Sequence, residues 1–97
     1  MNANEYISGM ADLIRTTGVD VRIEDIDGKK RIAARFPSVD AMRAEMKKAF
    51  TANMETLQNL NAGLKALRAS GEIKSATQGY TPLVLECAVE YRMDFGM

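Results

Sequence analysis

The chain has 97 residues, 46% of them hydrophobic and 27% charged, with 13 Lys+Arg against 13 Asp+Glu. That length and balance fit one domain and exclude a collagen-like repeat, a disordered tail or a multidomain enzyme. Zero net charge supplies no bulk field to recruit nucleic acid or anionic lipid. No apolar run approaches the ~20 residues needed to cross a bilayer, so no membrane partner is expected. The N-terminal Met1-Asn2-Ala3-Asn4-Glu5 lacks the basic-then-apolar layout of a signal peptide. With a single cysteine, it sets the expectation of a cytoplasmic protein.

Residues 2–17 read as an amphipathic helix, because Tyr6, Ile7, Met10, Leu13 and Ile14 recur at steps of three and four. Asn2 and Glu5 have the spacing of a capping box, and Gly18 stands where a left-handed terminator belongs. Val19, Val21 and Ile23 then alternate with Asp20, Arg22 and Glu24 up to Asp27-Gly28, a two-residue hairpin turn. Counting outward from that turn sets Ile23 against Ile32, Val21 against Ala34 and Val19 against Phe36. The same count sets Asp20 against Arg35, Glu24 against Arg31 and Asp25 against Lys30. Apolar and charged registers agree, and a one-residue slip would bury every charge.

Pro37-Ser38 ends the hairpin and caps a helix. From Val39 the apolar positions Met42, Met46, Phe50, Met54, Leu57, Leu60, Leu64 and Leu67 keep helical spacing up to Ser70-Gly71. One helix over 38–70 would be about 50 Å long, against a radius of gyration near ~13 Å for a domain of this size. It therefore either breaks near Asn59-Gly63 or packs its overhang on a second copy. Glu72 to Pro82 is polar, is punctuated by Gly79 and Pro82, and reads as a loop. From Leu83 to Phe95 apolar and polar residues alternate, which predicts one long strand. The expected fold is a single α+β domain over 1–97 in the order α-β-β-α-β. Its three-stranded antiparallel or mixed sheet has one face covered by the two helices. Charge matching of Lys29, Arg31 and Arg35 with Glu86 and Glu90 favours the last strand beside the second, while a simple crossover would equally place it beside the first.

The sequence contains no histidine, which removes the commonest general base and metal ligand. One cysteine without histidine cannot build a zinc site, and phosphate-binding glycine motifs are absent. No cofactor and no enzymatic activity are expected. Alternation places Cys87 on the core face, where a thiol is inert. Glu86 and Glu90, four residues apart on one strand face, would lie about 13 Å apart, too far for a glycosidase pair.

Two surfaces remain. Between Phe50 and Leu64 the only charge is Glu55, and depletion of charge marks interface cores. Asn53, Thr56, Gln58 and Asn59 are the candidate protein-binding residues, with Asn53 inside the apolar stripe where a polar residue can set the register of a helix pair. The leading expectation is a non-enzymatic protein–protein interaction module of unidentified partner. It would be an inhibitor or adaptor of the size that phages and mobile elements encode. Homodimerisation through the helix or an unpaired sheet edge is a corollary. The alternative is a nucleic-acid-binding regulator. Residues 29–48 carry seven basic and two acidic residues, and Lys29, Lys30, Arg31, Arg43, Lys47 and Lys48 would contact phosphates.

Overall fold

The computed structural model describes all of residues 1–97. Helix α1 spans Ala3–Arg15. Its capping box is closed: the Glu5 N–H donates to the Asn2 side chain at 2.8 Å, and the Asn2 N–H donates to the Glu5 carboxylate at 3.0 Å. Thr16 is the C-cap, and Gly18 takes its left-handed conformation (φ +86°) two residues further on.

Strands β1 (Val21–Ile26) and β2 (Lys29–Phe36) form the hairpin. Ile23 faces Ile32, Val21 faces Ala34, Glu24 faces Arg31 and Asp25 faces Lys30, as the turn arithmetic requires. β1 begins at Val21, so Val19 and Asp20 precede it. Of the expected charge pairs, Lys30–Asp25 closes at 3.1 Å. Arg31 instead turns to Asp94 at 2.6 Å, because β2 also has a neighbour on its other side.

The long helical segment is two helices, α2 (Val39–Ala52) and α3 (Met54–Ser70). Ser38 caps α2 through the Ala41 N–H at 3.0 Å. The break falls at Asn53, earlier than the expected Asn59-Gly63. Asn53 adopts φ −122°, ψ 40° and its side-chain amide donates to the Ala49 carbonyl at 2.8 Å. That carbonyl also takes the Asn53 backbone N–H, so the side chain competes with helix propagation at this turn. At the far end Gly71 (φ +80°) terminates α3 in the left-handed region.

The largest departure from the sequence reading lies after α3. Ser75–Leu83 is a strand, β3, and the last strand, β4 (Ala88–Gly96), starts only at Ala88. The order is α-β-β-α-α-β-β, and the sheet has four antiparallel strands in the order β1-β2-β4-β3. Residues 84–87 form the turn between β3 and β4, which leaves Val84 81% and Leu85 96% exposed. Cys87, expected in the core, is an exposed turn residue at φ +50°. β4 does lie beside β2, with Arg35 opposite Glu90, whereas Glu86 belongs to the turn.

Parity then sorts the sheet. Ile32, Ala34, Phe36, Val89, Tyr91 and Phe95 share the face under the helices and are buried. α1 contributes Tyr6, Ile7, Met10, Leu13 and Ile14 to that core, α2 contributes Met42 and Met46, and α3 contributes Leu60 and Leu67. The other face carries Arg22, Glu24, Arg31, Arg35, Glu90, Arg92 and Asp94, cross-linked by ion pairs. Under them Ala33, which faces Arg22 on one side and Arg92 on the other, is buried. Long arginine stems covering a small residue give this open face an apolar floor beneath a charged roof.

Candidate functional site

α3 packs on α1 and α2 rather than on β3. A sheet face beneath a helix that leans away stays uncovered, and here that leaves a groove of about 320 Å³ between α3 and the β3–β4 hairpin. Its floor is Tyr91, Met93 and Phe95 from β4. One wall is Phe50 with Leu57, Asn61 and Leu64 of the helices, and the other is Ala76, Thr77 and Gln78 of β3. At the α1 end Tyr6 and Met10 close it. Beyond the β3 wall Tyr80 stands 44% exposed, and Met54 lies exposed at the start of α3.

No lining residue carries a charge. The Tyr91 hydroxyl donates to the Gln78 side-chain carbonyl, and burial, with Tyr6 nearby, pushes its phenol up to about 12. Burial raises the Tyr6 phenol as well. Both rings therefore stay neutral in any physiological solvent, and the groove offers apolar surface edged by amide and phenol groups. The Tyr6 and Phe95 rings meet edge to face at 5.6 Å and 86°, which fixes the floor.

Comparison with family models, with curated proteins and with solved structures finds no match to this chain. Its own geometry is the ground for a functional reading.

The four candidate protein-binding residues do not form one patch. Thr56, Gln58 and Asn59 are exposed on α3, while Asn53 is half-buried and engaged with Ala49. Gln58 projects about 100° round the helix from the groove residue Leu57 and is not part of the groove lining. The charge-poor segment does border the groove, through Leu57, Asn61 and Leu64. Helical spacing alone assigns these leucines to the core. The missing signal is the adjacent edge strand, without which a helical stripe looks fully covered.

The candidate nucleic-acid residues are divided by the sheet. Lys29 and Arg31 lie on the open face, and Arg31 is held by Asp94, whose hydrogen bond raises the guanidinium further. Lys30 has the opposite parity and pairs with Asp25. Arg43, Lys47 and Lys48 project from exposed positions of α2, in the helical layer. On the open face the most buried charge is Glu90, 9% exposed, taking Arg92 at 2.7 Å and Arg22 at 3.4 Å. The Arg92 hydrogen bond, supported by the charges of Arg92, Arg22 and Arg35, holds its carboxyl below the usual carboxylate range despite burial.

Proposed function

We propose that this chain is a non-enzymatic protein-binding module, an inhibitor or adaptor that seats an uncharged, apolar segment of a partner protein in the groove between α3 and β3. The observation that carries this reading is the groove's lining: apolar, open to solvent and free of charge. Complementarity then selects the occupant, since a charged side chain placed there would lose its hydration with no counter-charge to replace it. Exposed Met54 and Tyr80 extend the apolar surface beyond the groove mouth. Methionine and tyrosine suit such a rim, one adaptable and one rigid with a polar tip.

The test uses the chain as bait in three forms, wild type, Leu57→Lys and Gln58→Lys, against a bacterial lysate with and without nuclease treatment. Leu57 lines the groove, whereas Gln58 is exposed outside its lining and projects about 100° further round α3, so the two variants add the same charge inside and outside the groove. A stoichiometric protein captured by wild type and Gln58→Lys but lost with Leu57→Lys is the expected result. A partner retained by Leu57→Lys and lost with Gln58→Lys overturns the groove reading in favour of the outer face of α3. Recovery only while nucleic acid is intact would overturn it in favour of the basic residues.

A further inference from the structure

The two edges of the sheet differ. β1 has six residues, of which Arg22, Glu24 and Asp25 are charged. β3 has nine residues and no charge at all: Ser-Ala-Thr-Gln-Gly-Tyr-Thr-Pro-Leu. Charged, short edges are how sheet proteins prevent strand pairing between molecules, and β3 lacks both devices. At its centre is Gly79, whose φ is not in the left-handed region and whose absent Cβ would meet nothing within 4 Å. A glycine there weakens the strand without serving any turn or close contact inside the monomer. Close approach of a ligand or of another backbone is one of the uses of a glycine inside a strand, beside bulges and tight bends.

The hydrogen-bonding sense of the edge can be read from its end. Gly96 directs both backbone groups at β3: its N–H reaches Ser75 Oγ at 3.2 Å and its C=O takes the Lys74 N–H at 2.7 Å. In a strand the N–H and C=O of one residue point the same way, and the direction alternates. Ser75 is the cross-strand partner of Gly96, so Ser75, Thr77, Gly79 and Thr81 face β4. Ala76, Gln78, Tyr80 and Pro82 then turn their backbone groups to the free edge, where a proline with no N–H to give is tolerated.

We infer that this edge pairs antiparallel with the same edge of a second copy, about a two-fold axis at Gly79, to make one continuous eight-stranded sheet. Only a register that brings outward residues opposite outward residues makes hydrogen bonds, and centring it on Gly79 uses the whole strand. Gln78 and the second copy's Tyr80 then exchange both bonds, and Ala76 donates to the second copy's Pro82 carbonyl. On the open face Thr77 meets the second copy's Thr81, a favourable cross-strand pair. Charge complementarity selects a second copy over a foreign strand. Lys74 and Glu86 have no ion-pair partner within the chain. The register brings Lys74 of each copy alongside the 84–87 turn that carries the other copy's Glu86. The new outer edges are both β1, whose charges stop further growth. Pairing through β3 needs no occupant in the groove.

Sedimentation equilibrium of the wild-type chain and of Gly79→Glu, with amide hydrogen exchange by NMR, tests it. The introduced carboxylate would face Arg92 across the ladder in the monomer but would face its own copy across the axis. The wild type should be a dimer, and Gly79→Glu should raise the dissociation constant about fivefold or more. The Ala76, Gln78 and Tyr80 amides should be protected in wild type and lose protection on dilution. Those amides report the interface even if Gly79→Glu fails to fold. A wild-type chain that stays monomeric at NMR concentrations overturns the inference, as does a dimer in which these three amides exchange freely.

Discussion

Replacing Glu90 by glutamine isolates the charge on the open face of the sheet while keeping its shape. Glu90 is 9% exposed and accepts a 2.7 Å bond from Arg92 and a 3.4 Å contact from Arg22. A charge-assisted hydrogen bond contributes about 1.5–3 kcal/mol, the longer contact adds little, and both arginines are substantially exposed, so screening removes part of this. A net loss of about 1–2 kcal/mol is expected at pH 7. With a urea dependence of roughly 1–3 kcal/mol per molar, the unfolding midpoint should fall by about 1 M. The pH profile is the sharper readout. Glu90 has a lowered pKa in the folded state, so below its ordinary value of ~4.3 the unfolded chain binds the proton first. Its contribution is therefore complete above that value and is lost as pH falls through it toward the folded pKa. Urea melts of both proteins from pH 7 to pH 3 should show a gap that is widest at neutrality and closes in acid. A gap of equal size at pH 3 and pH 7 would show that the Glu90→Gln change costs packing rather than charge, and the account of the open face would fail.

Three other outcomes follow from the same geometry. Phe95→Ala should destabilise by about 3–5 kcal/mol, measured by chemical denaturation. It should fall toward the lower end because Phe95 floors the open groove, whereas Phe36→Ala leaves a sealed void and should cost at least as much. Gly71→Ala should cost about 1 kcal/mol in thermal melts, since the α3 terminus holds φ +80°. Cys87 should react stoichiometrically with a thiol reagent in the native protein, because its turn is exposed; a thiol that reacts only on unfolding would contradict the turn placement.

The elements most legible in the sequence are those whose hydrophobic period is written on one buried face. α1 and β2 each bury one side, so spacing and the Asp27-Gly28 turn specify α1 and the hairpin register from Val21 onward, although Val19 and Asp20 fall outside β1 and Ile23 stays exposed. β3 is unreadable for the converse reason. Most of its residues are exposed on both faces, so no alternation is imposed on it, and Gly79 and Pro82 look like loop punctuation. The β4 alternation from Val89 to Phe95 is genuine, but it continues by chance through Leu85 and Leu83, and the turn between has no Gly, Asn or Asp to announce it. Cys87 supplies the left-handed residue instead, and with it leaves the core. The helix break at Asn53 comes from a side chain competing for one carbonyl, a local event inside an unbroken apolar stripe. The groove inherits both blind spots, since it exists only where the unread strand meets the helix beyond that break.

The sheet order also carries a kinetic consequence. β1–β2 and β3–β4 are each local hairpins, closed by the turns at Asp27-Gly28 and Val84–Cys87, and each can form within its own stretch of chain. The seam between them is not local: Phe36 must find Val89 and Lys29 must find Gly96 across the whole of α2, α3 and β3. Closing that loop costs chain entropy before any of its contacts are gained. The rate-limiting step of folding is therefore expected at the β2–β4 seam. Destabilising changes at Ile32 or Ala34 should slow folding, while changes at the groove wall, completed after the seam closes, should mainly speed unfolding.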